Sequence, residues 1–100
     1  IDAEVIDLRT LYPLDVETVV ASARKTGVVV VVDEANPVCS IGSEVAATFQ
    51  EEAFAYLDAP VTRVTGLLVP LPNAPILMDA VLPSVDDVIA AARDGVAYAV

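Results

Sequence analysis

A run of valines, Val28 to Val32, ends on Asp33-Glu34, the form taken by the acidic strand of a nucleotide triphosphatase, where one carboxylate holds magnesium and the next handles the attacking water. The companion phosphate loop is missing. Backbone N–H groups cradle phosphates only where glycines let them approach, and the sole lysine stands in Ser22-Ala23-Arg24-Lys25-Thr26 with no glycine ahead of it. A second option joins Asp33 and Glu34 to Asp7 at the carboxyl edge of a sheet as a magnesium site, as in a phospho-accepting receiver module. Such a module needs a late-strand lysine, and none follows Lys25. The favoured reading is that these acids cap loops and bond backbone amides at strand ends. Millimolar calcium or magnesium would perturb an acidic metal-binding module and leave structural acids indifferent.

The remaining reactive side chains are sparse. Without histidine, neither a Cys/His zinc site nor a histidine-based triad can be built, and the single Cys39 cannot close an internal disulfide. Cys39 also lacks the neighbouring cation that would lower its pKa to make a nucleophile. Ser43 opens a helix and reads as its cap. The terminal Val96-Ala97-Tyr98-Ala99-Val100 reads either as a docking tail or as a frayed helix end. No spacing in the chain specifies a reaction.

One hundred residues with 56% hydrophobic and 20% charged side chains make one folded domain, far from the composition of disorder. Fifteen acids against five bases give a net charge of −10, which repels nucleic acid and anionic membrane and calls for a basic partner. The longest uncharged stretch, Val64 to Met78, contains Pro70, Pro72 and Pro75 and falls short of the roughly 20 apolar residues that span a bilayer. Ile1-Asp2-Ala3-Glu4 lacks the features of a signal peptide, and the free thiol suits a reducing compartment, so the cytoplasm or the mitochondrial matrix is expected.

The elements that must position these groups follow from periodicity. Glu4 to Arg9 alternates as a short strand ended by Leu11-Tyr12-Pro13. Asp15 N-caps a helix with Val16, Val19, Val20 and Ala23 on one face, Arg24 and Lys25 in the last turn and Gly27 as the stop. Val28–Val32, without polar alternation, predicts a parallel strand covered on both faces. A second helix from about Ser43 to Leu57 presents Val45, Ala46, Phe49, Ala53, Tyr56 and Leu57. Val61–Thr65 is a third strand closed by Gly66, Leu67 to Pro75 is irregular, and Ser84-Val85-Asp86-Asp87 starts a last helix that runs to about Arg93 or beyond. The alternation predicts an α/β fold, a three-layer, open, mostly parallel sheet with helices on both faces. Three strands are few for so apolar a sheet, so an element ahead of Ile1 is expected.

Ile6-Asp7-Leu8-Arg9-Thr10-Leu11-Tyr12-Pro13-Leu14-Asp15 resembles the C-terminal transketolase-type domain of thiamine-dependent 2-oxo acid dehydrogenase beta subunits. So do Val31-Val32-Asp33-Glu34-Ala35, Gly42 to Ala47, Phe54 to Gly66 and Leu82-Pro83-Ser84, in the same order. The resemblance implies that residues 1–100 are one transketolase C-terminal-like domain, a fragment of a larger beta subunit that begins one strand and helix earlier, with that strand beside Val28–Val32. It implies an enzyme that oxidatively decarboxylates a 2-oxo acid on thiamine diphosphate and magnesium and acylates lipoamide. The resemblance also implies that cofactor and catalysis are housed elsewhere, so no catalytic, cofactor or metal residue is expected in this domain.

The implied partners are the alpha subunit, a second beta subunit and the basic peripheral-subunit-binding domain of the dihydrolipoyl acyltransferase, at positions resembling Phe54, Asp58 and the carboxylate of Val100. Many relatives have histidine at the position of Asp33 and an aromatic near Asn73, and here Leu67-Leu68 replaces a more polar pair. The run Asp33 to Ser40 looks more like acetoin dehydrogenase beta subunits, which leaves the substrate open. A different transketolase-type enzyme would lack the acyltransferase partner, and a free-standing acidic metal-binding module is the reading of another class.

Overall fold

The computed structural model describes residues 1–100. The chain enters as an extended segment, bends at Tyr12-Pro13, and forms α1 over Val16–Thr26. Asp15 starts that helix as expected: its Oδ1 accepts from Thr18 N at 3.1 Å and its Oδ2 from the Thr18 hydroxyl at 2.7 Å. Those two bonds, the hydroxyl's first, hold the Asp15 carboxyl below the usual carboxylate range. Gly27 ends α1 in the left-handed region at φ 76°, donating its N–H to Ala23 O. A Cβ at that position would overlap Asp58 Oδ2, so both the dihedral and the space require glycine.

Strand β1 (Val30–Asp33) pairs in parallel with β2 (Thr62–Thr65), in the register Val30 with Thr62 through Asp33 with Thr65. Between them run α2 (Ile41–Ala53) and a one-turn 3₁₀ helix over Phe54–Tyr56. After β2 come the proline-punctuated loop, α3 (Pro75–Val81) and α4 (Val85–Ala99). Side chains alternate across the sheet. Val29 and Val31 face α1 and α2, where Val19, Ala23, Val45, Phe49 and Ala53 complete the core. Val28 faces the other way and lies under Gly95 of α4, where an added Cβ would come within 2.7 Å of Val28 Cγ1. This is the three-layer α/β arrangement with helices on both faces, and each fully buried valine or phenylalanine contributes roughly 1.5–3 kcal/mol to it.

Several expectations are corrected. Glu4–Arg9 forms no strand, because no backbone hydrogen bond joins it to β1 and a strand exists only through its ladder. The sheet therefore has two strands. The valine run is not covered on both faces: Val32 is 52% exposed. The second helix begins two residues before Ser43 and tightens to 3₁₀ at Phe54, which rotates Tyr56 off the apolar face and leaves it exposed. The irregular stretch gives way at Pro75 to a helix the sequence reading did not include; proline is favoured at its first position because it lacks only an N–H that would be orphaned there. Ser84 caps α4 in a full capping box with Asp87, whose carboxyl is held low by the Ser84 amide and then its hydroxyl. Helix α4 reaches Ala99, so Val96 to Ala99 is helical.

Candidate functional site

The carboxyl edge of the sheet carries Asp33 and Glu34. Asp33 Oδ1 accepts from Ala35 N at 3.0 Å and its Oδ2 accepts from Gly42 N at 2.9 Å, so the side chain turns the loop and caps α2 from outside that helix. Ser43, expected as the cap, lies inside the first turn. Its hydroxyl accepts from Arg63 Nη1 at 2.8 Å and donates to Pro37 O, fastening the loop to β2. Asp7 is committed to Arg9, whose Nε lies 3.0 Å from Asp7 Oδ2. No three acidic or thiol side chains converge as metal ligands, and the three acids of the hypothetical receiver site do not form one. Cys39 is exposed on the same loop at φ 55°.

The opposite, amino edge gathers the residues proposed for partner binding. The 3₁₀ helix leads through Asp58 into β2, and the Asp58 amide donates to Gly27 O at 2.8 Å, just ahead of β1. Phe54 is 66% exposed although it is one of only two phenylalanines in the chain. Helix α4 starts near the carboxyl end of β2, where Leu67 N donates to Val81 O, and reaches Val28 at Gly95, so it runs antiparallel to the strands and its last turn, with the fully exposed Val100, points toward this same edge. Phe54 and Asp58 belong to the α2 layer and Val100 to the α4 layer. They share one end of the sheet from opposite faces.

Two further residues join this edge. Arg24, in the last turn of α1, places its Cζ 4.5 Å from the centroid of the Tyr56 ring and donates from Nη2 to Tyr56 Oη at 3.1 Å. The sequence reading assigned Arg24 to the helix dipole and Tyr56 to the core; a contact between positions so far apart in the chain carries no local signal.

A cleft of about 690 Å³ lies between the segment Ile1–Leu8, β1, α1 and α4. It is lined mainly by apolar side chains, among them Val28, Val30, Phe49, Val88 and Ala92. The segment on its far wall is tied to α1 by Glu4, which accepts from Lys25 Nζ and from the Ser22 hydroxyl, both at 2.8 Å. Lys25, then Ser22, hold the Glu4 carboxyl below its ordinary range. The edge of β1 that faces this cleft has no ladder partner.

Comparison with known proteins gives consistent relatives. The family model described as "Transketolase, C-terminal domain" matches residues 1–88. The chain is 45% identical over 93 residues to a pyruvate dehydrogenase E1 component subunit beta of Rhizobium meliloti, covering 93% of this chain and 20% of that protein. It is 43% identical over 89 residues to an acetoin:2,6-dichlorophenolindophenol oxidoreductase subunit beta of Bacillus subtilis, covering 89% and 26%. It is 51% identical over 74 residues to a 2-oxoisovalerate dehydrogenase subunit beta of Pseudomonas aeruginosa, covering 74% and 21%. The chain thus spans about a fifth to a quarter of these relatives' length. No helix is long and apolar enough to cross a membrane.

Proposed function

This chain belongs to the transketolase C-terminal domain family, and from that premise we propose that it is the subunit-assembly and acyltransferase-docking domain of a 2-oxo acid dehydrogenase beta subunit. The observation that carries this reading is its surface. A monomeric protein of 10.4 kDa exposes roughly 5,400 Å², whereas this chain exposes 7003 Å². The excess, roughly 1,600 Å², is about twice the roughly 800 Å² that one partner contributes to a standard protein–protein interface, enough for more than one contact. Much of it is apolar, from Val5 on the extended segment to Leu67, Leu68 and Leu71 in the proline loop.

Part of that excess belongs to the cleft. An apolar slot between the open edge of β1 and the unpaired segment Ile1–Leu8 has the chemistry of a seat for one more strand, since its backbone groups would satisfy both edges. The occupant is the strand of a strand–helix unit that precedes these residues in the complete subunit. The rest of the exposed area serves the alpha subunit and a second beta subunit.

The whole enzyme would oxidatively decarboxylate a 2-oxo acid, pyruvate-like, and acylate lipoamide, with thiamine diphosphate and magnesium as cofactors, in the cytoplasm or the mitochondrial matrix. This chain's residues do not fit that cofactor pair. Asp33 spends both oxygens on backbone amides, no ligand cluster for magnesium assembles, and the large cleft is apolar. The cofactors therefore belong to other parts of the enzyme. Acetoin is the second substrate in contention, favoured by the likeness to the acetoin-oxidising relative.

Docking uses the amino edge: Phe54 as the apolar anchor and Asp58 as the anion, with the Val100 carboxylate at the same edge from the opposite face of the sheet, all offered to the basic peripheral-subunit-binding domain of the dihydrolipoyl acyltransferase. The net charge of −10 supplies the long-range attraction. In the assembled beta subunit, Asp58→Arg should weaken binding of that domain about tenfold or more at low salt. Titration calorimetry reads it, and unchanged affinity at low salt would remove Asp58 from the interface.

A further inference from the structure

The docking edge carries a cation that nothing in the acidic molecule neutralises. Lys25 pairs with Glu4 and Arg9 with Asp7, while Arg63 donates to Pro37 O and Ser43 Oγ; Arg93, on α4, is also without an ion pair but has no aromatic ring to hold it. Arg24 has a single hydrogen bond, to Tyr56 Oη, and no carboxylate within ion-pair distance. A guanidinium has five N–H donors in a fixed fork, so most of its capacity is unused within the chain. Its Cζ already rests 4.5 Å from the Tyr56 ring centroid, so less side-chain entropy would be lost on engaging a ligand than for a free arginine.

The neighbours of Arg24 make this a built surface. Tyr56 lies two residues after the bare Phe54 and two before Asp58. Asp58 in turn has its carboxylate against Gly27, three residues beyond Arg24. An exposed aromatic, a stacked arginine and an acid beside a rigid helix cap have the composition of an interface hot spot. Resting on the docking reading above, we propose that Arg24 is a second charged anchor of this patch, taking a carboxylate of the partner through its fork while Asp58 takes a cation. The partner that fits is a basic domain with an acidic side chain set beside its cation, and Arg24 would reject an otherwise similar basic surface that lacks the acid.

The sign of one substitution separates this from simple charge attraction. If the basic partner feels only net charge, Arg24→Glu makes the beta subunit more acidic and tightens binding. If Arg24 holds a partner carboxylate, the same change sets two anions face to face and loosens binding about tenfold. The experiment is titration calorimetry of the assembled beta subunit with the acyltransferase's basic domain at low salt, using Arg24→Glu, Asp58→Arg and Arg93→Glu, an exposed cation on α4 with no ring beneath it.

The expected result is loss for Arg24→Glu and unchanged or slightly tighter binding for Arg93→Glu. Equal or tighter binding for Arg24→Glu overturns the proposal. Arg24→Glu neutral with Asp58→Arg weakened rejects Arg24 and keeps the docking reading. Weakened Arg24→Glu with Asp58→Arg neutral upholds Arg24 and rejects Asp58. Should Arg24→Glu shift the urea midpoint, Arg24→Gln, which keeps a planar terminus, is judged by the same criterion, with loosening expected and undiminished affinity overturning the proposal.

Discussion

Asp33 stands at the end of an apolar strand, where a catalytic carboxylate would stand, and holds backbone instead. Its two oxygens accept one N–H each, from Ala35 and from Gly42, so the carboxylate both turns the loop and seats the first turn of α2. Asparagine has nearly the same shape and only one acceptor oxygen, so Asp33→Asn sets an NH₂ donor against one of those amides. The loss of one bond and of a negative charge at a helix start should cost about 1–3 kcal/mol, read as a lowered urea midpoint. A midpoint equal to the parent's would show that the two bonds contribute nothing. Residues of this kind were legible from the sequence, because a cap bonds to amides only a few positions away: Asp15, Gly27 and Ser84 all act where the pattern puts them. Ser43 was misplaced because the cap for its helix comes from another element. The Arg24–Tyr56 contact was invisible for the same reason.

At the scale of elements, α1, α2, α4 and the parallel strands β1 and β2 followed from the sequence, whereas α3 and the failure of Glu4–Arg9 to pair did not. Helix α1 and helix α4 satisfy their own backbones, so periodicity and caps suffice to place them. Glu4–Arg9 has the alternation of a strand and yet needs a neighbour to become one. The 3₁₀ turn after α2 was missed since three residues per turn in place of 3.6 leave no distinct composition. Gly95 shows how an element's own preference can lose to its packing. In the middle of α4, alanine is favoured over glycine by about 1 kcal/mol, but here its Cβ would lie 2.7 Å from Val28 Cγ1. Valine is stiff at χ1, and Val28 is held between the Gly27 cap and β1, so it has little freedom to swing aside. Gly95→Ala should therefore destabilise by about 1–3 kcal/mol. In a Val28→Ala background the same change should become neutral or stabilising. A double-mutant cycle by chemical denaturation measures the coupling, and an additive cycle would show that this approach does not determine how close α4 lies to the sheet.

For the molecule as a whole, the question is whether a hundred residues with this surface can stand alone. Only 13 of them are buried. The Cα radius of gyration, 14.0 Å, exceeds the roughly 13 Å of a compact chain of this length, and the apolar cleft beside β1 accounts for part of the difference. Ordering each residue costs about 1–2 kcal/mol of backbone entropy whether or not its side chain is buried. A chain that buries little apolar area therefore has less to set against the same cost. The isolated chain is expected to unfold at low urea and to bind a hydrophobic dye while native. Its sedimentation coefficient should rise with concentration as the exposed leucines and valines find one another. On the proposed assembly reading, the same residues inside a complete beta subunit should show none of these behaviours, because the proposed preceding strand and neighbouring subunits would cover the cleft and the proline loop. A monomer at all concentrations, unfolding cooperatively well above room temperature, would mean that the surplus surface is tolerated in isolation, and the argument from area to assembly would fail with it.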